Sequence, residues 1–344
     1  MEADLRPVEK KAILICGGSV RVENDFRPPF RLSRSTAGPG AGSASIVMAF
    51  GGLRVKKSIS RDEGEFQLVG GPEGYSLLHN GEPFIDELEL RPVLYHSPEQ
   101  AFFNLGQACI FDCIFCTSRK LSKDVVKDLD LDQVVDLILE AHRKGELKAV
   151  ALTSAVVDSI QETIRRMVYV VRKVRKALPD VPIGVEPYVE SFGDIDRLHE
   201  AGATEIKINI ESFDPRIIEI ACPKLELEKQ LEFPRYAVQV FGRGKVTSNI
   251  IIGLGETDRN VLEGVATLAS MGIVPSIRAL KINPTNRPSL ERALGSLRPV
   301  TPERLITLNQ EAKLILMAHG LSTTSYHTMC HECGCCDLVP FKDL

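Results

Sequence analysis

From about residue 100 the chain repeatedly alternates a short apolar run with an amphipathic stretch, and this rhythm most constrains its fold. The runs are residues 101–105, 149–153, 183–187, 205–210, 246–252 and 277–282. Helical periodicity covers 131–144, 160–178 and 302–319. Asp130 suits an N-cap, Gly145 a stop, and Pro179 and Pro182 break the second helix. Strand and helix in strict alternation predict a parallel sheet with crossover helices, and six β/α units can be counted.

The first apolar run leads into Cys109-Ile-Phe-Asp-Cys113-Ile-Phe-Cys116. One tight loop with this spacing lets three thiolates hold three corners of a [4Fe–4S] cluster, which normally takes four cysteines. The corner left open can bind a substrate or cofactor. A structural zinc site wants four ligands, usually as two separated pairs, and the nearest other cysteine cluster is over 200 residues away. That cluster is Cys330-His-Glu-Cys333-Gly-Cys335-Cys336, where positions 330, 333 and 336 repeat at ferredoxin-like intervals. Cys335 is either a fourth ligand or a spare, and a zinc knot including His331 is the competing reading. Cys16 and Cys222 read as buried single cysteines.

The chain has nine cysteines, seven of them in these two clusters, and Met1-Glu-Ala-Asp4 lacks the pattern of an export signal. This pattern reads as metal ligation in a cytoplasmic, oxygen-sensitive protein and not as a disulfide framework. A net charge of −4 and a pI near 6.0 argue against nucleic acid or a membrane surface as principal partner. No run approaches the roughly 18 apolar residues of a membrane-spanning helix.

Residues 1–95 differ from the rest. Runs at 12–16, 45–50 and 66–69 each end in Gly-Gly and predict a small β-rich domain. Ser35–Ser43 is glycine-rich but lacks a P-loop lysine, so a loop is expected. His79-Asn80-Gly81 reads as a turn with a surface histidine. Residues 96–322 are expected to form the α/β unit and 323–344 a cysteine-rich tail.

Sites in such α/β barrels lie at the carboxyl ends of the strands. Thr153, Ser154, Glu186, Asn209, Glu211, Lys281 and Asn283 fall there, with Ser248 and Asn249 inside the fifth strand and Arg278 at the start of the sixth. Together they suit a zwitterionic, ribose-bearing ligand. Gly253-Leu-Gly-Glu-Thr257 lacks the third glycine of a dinucleotide loop, so a tight turn capped by Thr257 is expected. The basic helix with Arg165, Arg166, Arg172, Lys173, Arg175 and Lys176 reads as a solvated face, or as a dock for an acidic carrier.

The cysteine loop, with Phe115 before its last cysteine, resembles the signature of radical S-adenosylmethionine (radical SAM) enzymes. That resemblance implies a partial (β/α)6 barrel of the TIM type, with SAM chelated at the open iron and cleaved to a 5′-deoxyadenosyl radical. Leu152-Thr-Ser154, Asn209-Ile-Glu211-Ser212 with Pro215-Arg216, Ser248 with Gly253-Leu-Gly-Glu256, and Ser325-Tyr-His327 resemble stretches of lipoyl synthases. The Gly-Leu-Gly-Glu element is shared with biotin synthases.

By that resemblance Thr153, Ser154, Asn209 and Glu211 contact SAM or line its pocket; Phe115, Glu186, Ser248 and Arg278 are expected beside them as cofactor-binding residues. Lipoyl synthases carry three N-terminal cysteines for an auxiliary cluster, whereas here the N-terminal region has Cys16 alone. Thr324 and Ser325 fall near the family's terminal serine ligand. Moving the second cysteine set to the C-terminus resembles the archaeal-type two-component lipoyl synthases, in which two radical SAM proteins each insert one sulfur. The implied cofactors are two [4Fe–4S] clusters and SAM. The implied partners are an octanoylated lipoyl-domain or glycine-cleavage carrier protein, a companion radical SAM subunit, and an electron donor such as ferredoxin. The alternatives are a different two-cluster radical SAM reaction or, outside enzymes, an iron–sulfur or zinc assembly or electron-transfer protein.

Overall fold

The computed structural model describes residues 5–28, 30, 32–34, 43–71, 74–118 and 129–344; most of Ser35–Ser43 lies outside them. Pro7 and a capping box between Arg6 and Glu9 start helix α1 (Pro7–Cys16), which buries Lys11, Ala12, Leu14 and Ile15. The run at 12–16 is thus helical and not a strand, because a short apolar run fits either period.

Strands β1 (Val20–Arg21), β2 (Ser33–Arg34), β3 (Ala44–Phe50), β4 (Leu53–Ser60), β5 (Phe66–Gly71), β6 (Gly74–His79) and β7 (Glu82–Arg91) form one sheet ordered β2-β3-β4-β1-β5-β6-β7. Since β3 also pairs with β7, the sheet curls back on itself. The β6–β7 turn holds Asn80 and Gly81 at positive φ, as a tight hairpin requires. His79 is not a free surface residue: its ring stacks on Phe66 at 4.7 Å, and its Nε2 lies 3.0 Å from Glu65.

The six expected units follow. Strands β8 (Gln100–Asn104), β9 (Ala149–Thr153), β10 (Ile183–Glu186), β11 (Glu205–Lys207), β12 (Val246–Ile252) and β13 (Val274–Ala279) pair in sequential parallel order. The terminal strands β8 and β13 do not pair with each other, which makes the barrel partial. The last strand begins three residues before the run that had suggested it, so Arg278 lies near its end and not its start. β11 is shorter than its apolar run, which continues beyond Lys207 as irregular backbone.

Helices α2 (Leu131–Arg143), α3 (Ile160–Ala177), α4 (Phe192–Glu200), α5 (Pro215–Ala221), α6 (Leu227–Phe241) and α7 (Asp258–Met271) make the crossovers. Asp130 accepts from the Asp132 and Gln133 amides, and Thr257 accepts from the Asn260 amide, so both expected caps form. Glu256 accepts from the Gly253 and Leu254 amides, fixing the tight turn before α7. Along β9 the side chains alternate: Val150 and Leu152 join the main core, while Ala151 meets Phe102, Tyr326 and Met329 inside the barrel.

Helices α8 (Arg287–Leu294) and α9 (Pro302–Ala318) lead to the tail, with short helices α10 (Met329–Cys333) and α11 (Pro340–Asp343). The tail enters the amino-terminal end of the strands. Gln100 bonds both the amide and the carbonyl of Met329 (2.6 and 3.2 Å), and Glu205 accepts from the His327 amide and the Thr328 hydroxyl. Buried polar residues at the strand starts fix the tail at this end, because Gln100 and Glu205 require partners inside the barrel. Lys11 completes the anchorage, with its ammonium 2.7 Å from both the Gly334 carbonyl and Asp343.

Candidate functional site

The loop after β8 brings the first cysteine set to the carboxyl end of the barrel. Its backbone is held at three points: Ile110 N–H donates to Val156 O (2.9 Å), Ile114 N–H to Ala221 O (3.0 Å), and Asn286 Nδ2 to Phe115 O (2.9 Å). Cys109, Cys113 and Cys116 then line one cavity with Asn104, Thr153, Ser154, Glu186, Asn209 and Glu211. Phe115 is not in that lining; it packs on Ile217, Ala221, Leu254 and Leu290 beneath the loop. Burial pushes the Cys116 thiol up, against the amide of Ser118, which donates to its sulfur at 3.4 Å.

The carboxylates on the wall differ. Burial opposes the charge of Glu186, yet Lys207 at 3.2 Å and Asn209 Nδ2 at 2.9 Å hold its carboxyl below the ordinary range. Burial pushes Glu211 up to about 7. Glu211 also adopts φ +68, a left-handed conformation that a residue with a side chain holds only at a cost of roughly 1–3 kcal/mol. Its backbone bridges to β12, since its N–H donates to Asn249 O and its C=O accepts from Ile251 N–H. The strain therefore aims the carboxyl inward, where Oε2 is buried with no protein partner, as is Asn249 Oδ1.

Ser248 and Arg278, like Phe115, were expected in this pocket and lie elsewhere. Ser248 alternates with Asn249 along β12 and faces away, its hydroxyl accepting from Ile210 N–H at 3.0 Å. Arg278 sits inside the barrel and not in the cavity lining; it pairs with Asp337 at 3.3 Å and donates to Cys330 Sγ at 3.7 Å. Asn104, Phe111, Tyr188 and Cys222 line the cavity without having been singled out for it. The sequence signals were slight: an asparagine ending the first strand, an aromatic after the Glu-Pro pair, and a cysteine before Pro223.

The second cysteine set is enclosed by three parts of the chain. Cys330 faces Lys207 and Arg278 inside the barrel. Cys333, Cys335 and Cys336 pack on Val47 and Val93, and Lys56 N–H donates to Cys335 O at 2.7 Å. Cys335 Sγ lies 3.3 Å from Cys333 O. The Cys333 thiol is held below its ordinary range, first by the Cys335 thiol and then, against burial, by Ser97 and Lys56. His331 is spent structurally, between Thr247 Oγ1 at 3.0 Å and Val274 O at 3.3 Å. Burial holds its imidazole down to about 4. Thr324 and Ser325 lie exposed in a short turn, bonded to Ser322.

Among the described residues, no three His, Cys, Asp or Glu side chains are already gathered at metal-binding distances. The fit of an iron–sulfur cluster rests on donor chemistry. In the carboxyl-end cavity three soft thiols converge beside the buried, unpartnered carboxylate oxygen of Glu211. In the tail, the thiols lie among Lys56, Arg54, Lys207 and Arg278, a cationic setting suited to an anionic cluster.

Residues 103–268 match the radical SAM superfamily. Lipoyl synthase of Chlamydia caviae is 27% identical over 177 residues, covering 50% of this chain and 55% of that protein. Lipoyl synthase of Corynebacterium efficiens is 29% identical over 237 residues, covering 66% and 63%. Among solved structures, the FeFe-hydrogenase maturase HydG of Carboxydothermus hydrogenoformans superposes with a TM-score of 0.52 at 17% identity, over 64% of this chain and 52% of that one. In its partial barrel, its three-cysteine cavity and the match over residues 103–268, the chain resembles radical SAM enzymes. Among curated proteins, it resembles lipoyl synthases, although it spans only 55% and 59% of the first two it matches. No helix among the described residues is long and apolar enough to cross a membrane.

Proposed function

We propose that the chain inserts sulfur into an unactivated C–H bond of a protein-bound octanoyl chain, in the biosynthesis of the lipoyl cofactor. One observation carries this reading: Cys109, Cys113 and Cys116 open onto the same cavity as Glu186, Asn209 and Glu211 at the carboxyl ends of the strands. An octanoyl methylene has no acidic hydrogen, so a cofactor-derived radical is needed in place of a general base. Cys109, Cys113 and Cys116 would hold a [4Fe–4S] cluster, which, given one electron and bound SAM, would supply a 5′-deoxyadenosyl radical and methionine.

The chain's own residues orient the cofactor. Asn209 is fixed by Glu186 and by Asn249 N–H, which donates to its Oδ1 at 3.2 Å. Glu211 offers Oε2, and Thr153 and Ser154 close one wall. The tail cysteines Cys330, Cys333 and Cys336, with Cys335 or another group as fourth ligand, would hold the auxiliary [4Fe–4S] cluster that gives up sulfur. The place of Cys330 against Lys207 and Arg278 inside the barrel supports this reading, because a sulfur donor has to approach the radical site from within. The octanoylated carrier, a companion radical SAM subunit and a ferredoxin-like donor belong to the same proposal, in a cytoplasmic setting.

The test is anaerobic incubation of reconstituted protein with SAM, a reductant and an octanoyl-lysyl peptide, read by mass. The expected result is gain of one sulfur. Abundant 5′-deoxyadenosine without that gain would shift the reading to another two-cluster radical SAM reaction.

A further inference from the structure

A cluster held by Cys330, Cys333 and Cys336 needs one more donor, and the tail offers Cys335, His331 and Asp337. Gly334 ends α10 at φ +61 and turns the chain back, so Cys335, Cys336 and Asp337 follow it as bends. Cys335 is committed to packing. Its thiol donates to Cys333 O at 3.3 Å, its carbonyl accepts from Lys56 N–H at 2.7 Å, and it is fully buried against Val47 of β3. His331 has an unpartnered Nδ1, but its ring is held through Nε2 against Thr247 and Val274 at the strand starts.

Asp337 differs from both. It is only 3% exposed, and its Oδ1 lies 3.3 Å from Arg278 Nε, while its Oδ2 is buried with no protein partner. The same guanidinium donates through Nη1 to Cys330 Sγ at 3.7 Å, so the carboxylate and the first thiol of the set meet on one cation. A buried carboxylate oxygen without a donor is costly, and coordination to a metal removes that cost.

We infer that Asp337, and not Cys335, is the fourth ligand of the tail cluster, bound through Oδ2. The inference rests on the reading of the tail as an iron–sulfur site. Arg278 then holds the ligand's other oxygen, the usual arrangement for a ligating carboxylate. An oxygen donor matches the iron of a sulfide cluster less well than a thiolate does, so this corner is the one most easily exchanged.

The test uses the full chain carrying Cys109→Ala, Cys113→Ala and Cys116→Ala, so that bound iron belongs to the tail. Each variant is reconstituted anaerobically and read by iron content, paramagnetic signal and Mössbauer spectrum. The background chain should hold about four irons, one of them with a spectrum distinct from the thiolate-bound rest. Cys335→Ala and His331→Gln should keep all of them. Asp337→Asn, which retains size and an oxygen beside Arg278, should fall to about three, with the signal of a three-iron cluster. Asp337→Cys should restore the fourth iron and make the irons alike. Irons already alike in the background chain, or a full set in Asp337→Asn, would overturn the inference. Loss in Cys335→Ala or His331→Gln alone would give the corner to that residue instead. A background chain without iron would overturn the tail-cluster reading itself.

Discussion

Lys207 Nζ stands 3.7 Å from Cys330 Sγ, and the same ammonium lies 3.2 Å from Glu186 Oε1 on the cavity wall. One buried cation thus joins the carboxyl-end cavity to the tail. Arg278 extends the chain of contacts, from Cys330 to Asp337. The two cysteine sets are therefore approached from opposite ends of one barrel, with a charged layer between them.

Lys207→Met should consequently strand Glu186 in the interior. Removing one partner of a buried ion pair destabilises by roughly 3–5 kcal/mol, because the other charge is left unpaired. Anaerobic urea unfolding of the metal-free protein should show a loss of that order. Adding Glu186→Gln to the same chain should recover most of it, since the amide needs no counter-charge. A double variant no more stable than Lys207→Met would refute the pairing.

Gly184 marks where the tail presses on the barrel. A Cβ built there would lie 2.1 Å from Thr328 Oγ1 and 2.7 Å from Thr328 Cβ. Gly184→Ala should therefore push Thr328 and the neighbouring Cys330 out of place without disturbing the carboxyl-end cavity. If the tail holds a second cubane, iron should fall from about eight to about four per chain, with SAM cleavage retained. Unchanged iron would mean that the tail either tolerates the shift or carries no cluster.

The barrel was legible in the sequence because most strands fall in apolar runs and several helices carry their own punctuation: Asp130, Thr257, Gly145, Pro179. The cysteine loop was legible for a related reason, since three thiols within eight residues have few other uses. What escaped was set by tertiary contact. The helix at Pro7–Cys16 depends on packing that a short apolar run does not reveal. Ser248 and Asn249 are neighbours in sequence, but the strand's period of two sends their side chains to opposite faces, and neither lines the cavity. The tail's entry at the amino end of the strands is decided by Gln100 and Glu205, whose roles appear only when Met329 and Thr328 meet them.

Glu211 should impose a pH dependence on the metal-free protein. Its carboxyl is raised by burial from an ordinary value of 4.5 to about 7; Lys207 and Arg278 lower it, and Glu186 raises it further. A raised acid favours the protonated folded state, so its contribution is complete below about pH 4.5 and is lost as pH rises through about 7. Relative to Glu211→Gln, wild type should lose on the order of 3 kcal/mol between about pH 4 and pH 8. Parallel stability profiles for the two proteins would show that Glu211 titrates normally.

The basic face of α3 separates into structural and available cations. Arg175 donates to Gly202 O at 2.9 and 3.0 Å, and Arg166 to Leu105 O and Leu129 O, so both brace the barrel's own loops. Arg165 pairs with Glu162 on the same helix, and Lys173 lies over Tyr169. Arg172 and Lys176 are exposed on the same helix. If this face docks an acidic carrier domain, Arg172→Glu with Lys176→Glu should slow sulfur insertion on the octanoylated carrier several-fold, and more so at low salt, because surface attraction is screened over about 10 Å at 0.1 M. The rate on a short octanoyl-lysyl peptide should not change, since the peptide lacks the acidic surface. Equal slowing on both substrates would place the effect in the barrel and remove α3 as the docking face. Arg175→Glu is the matched control: it should lower stability with either substrate, because it breaks the contact to Gly202, where Arg175 already packs against a backbone at φ +110.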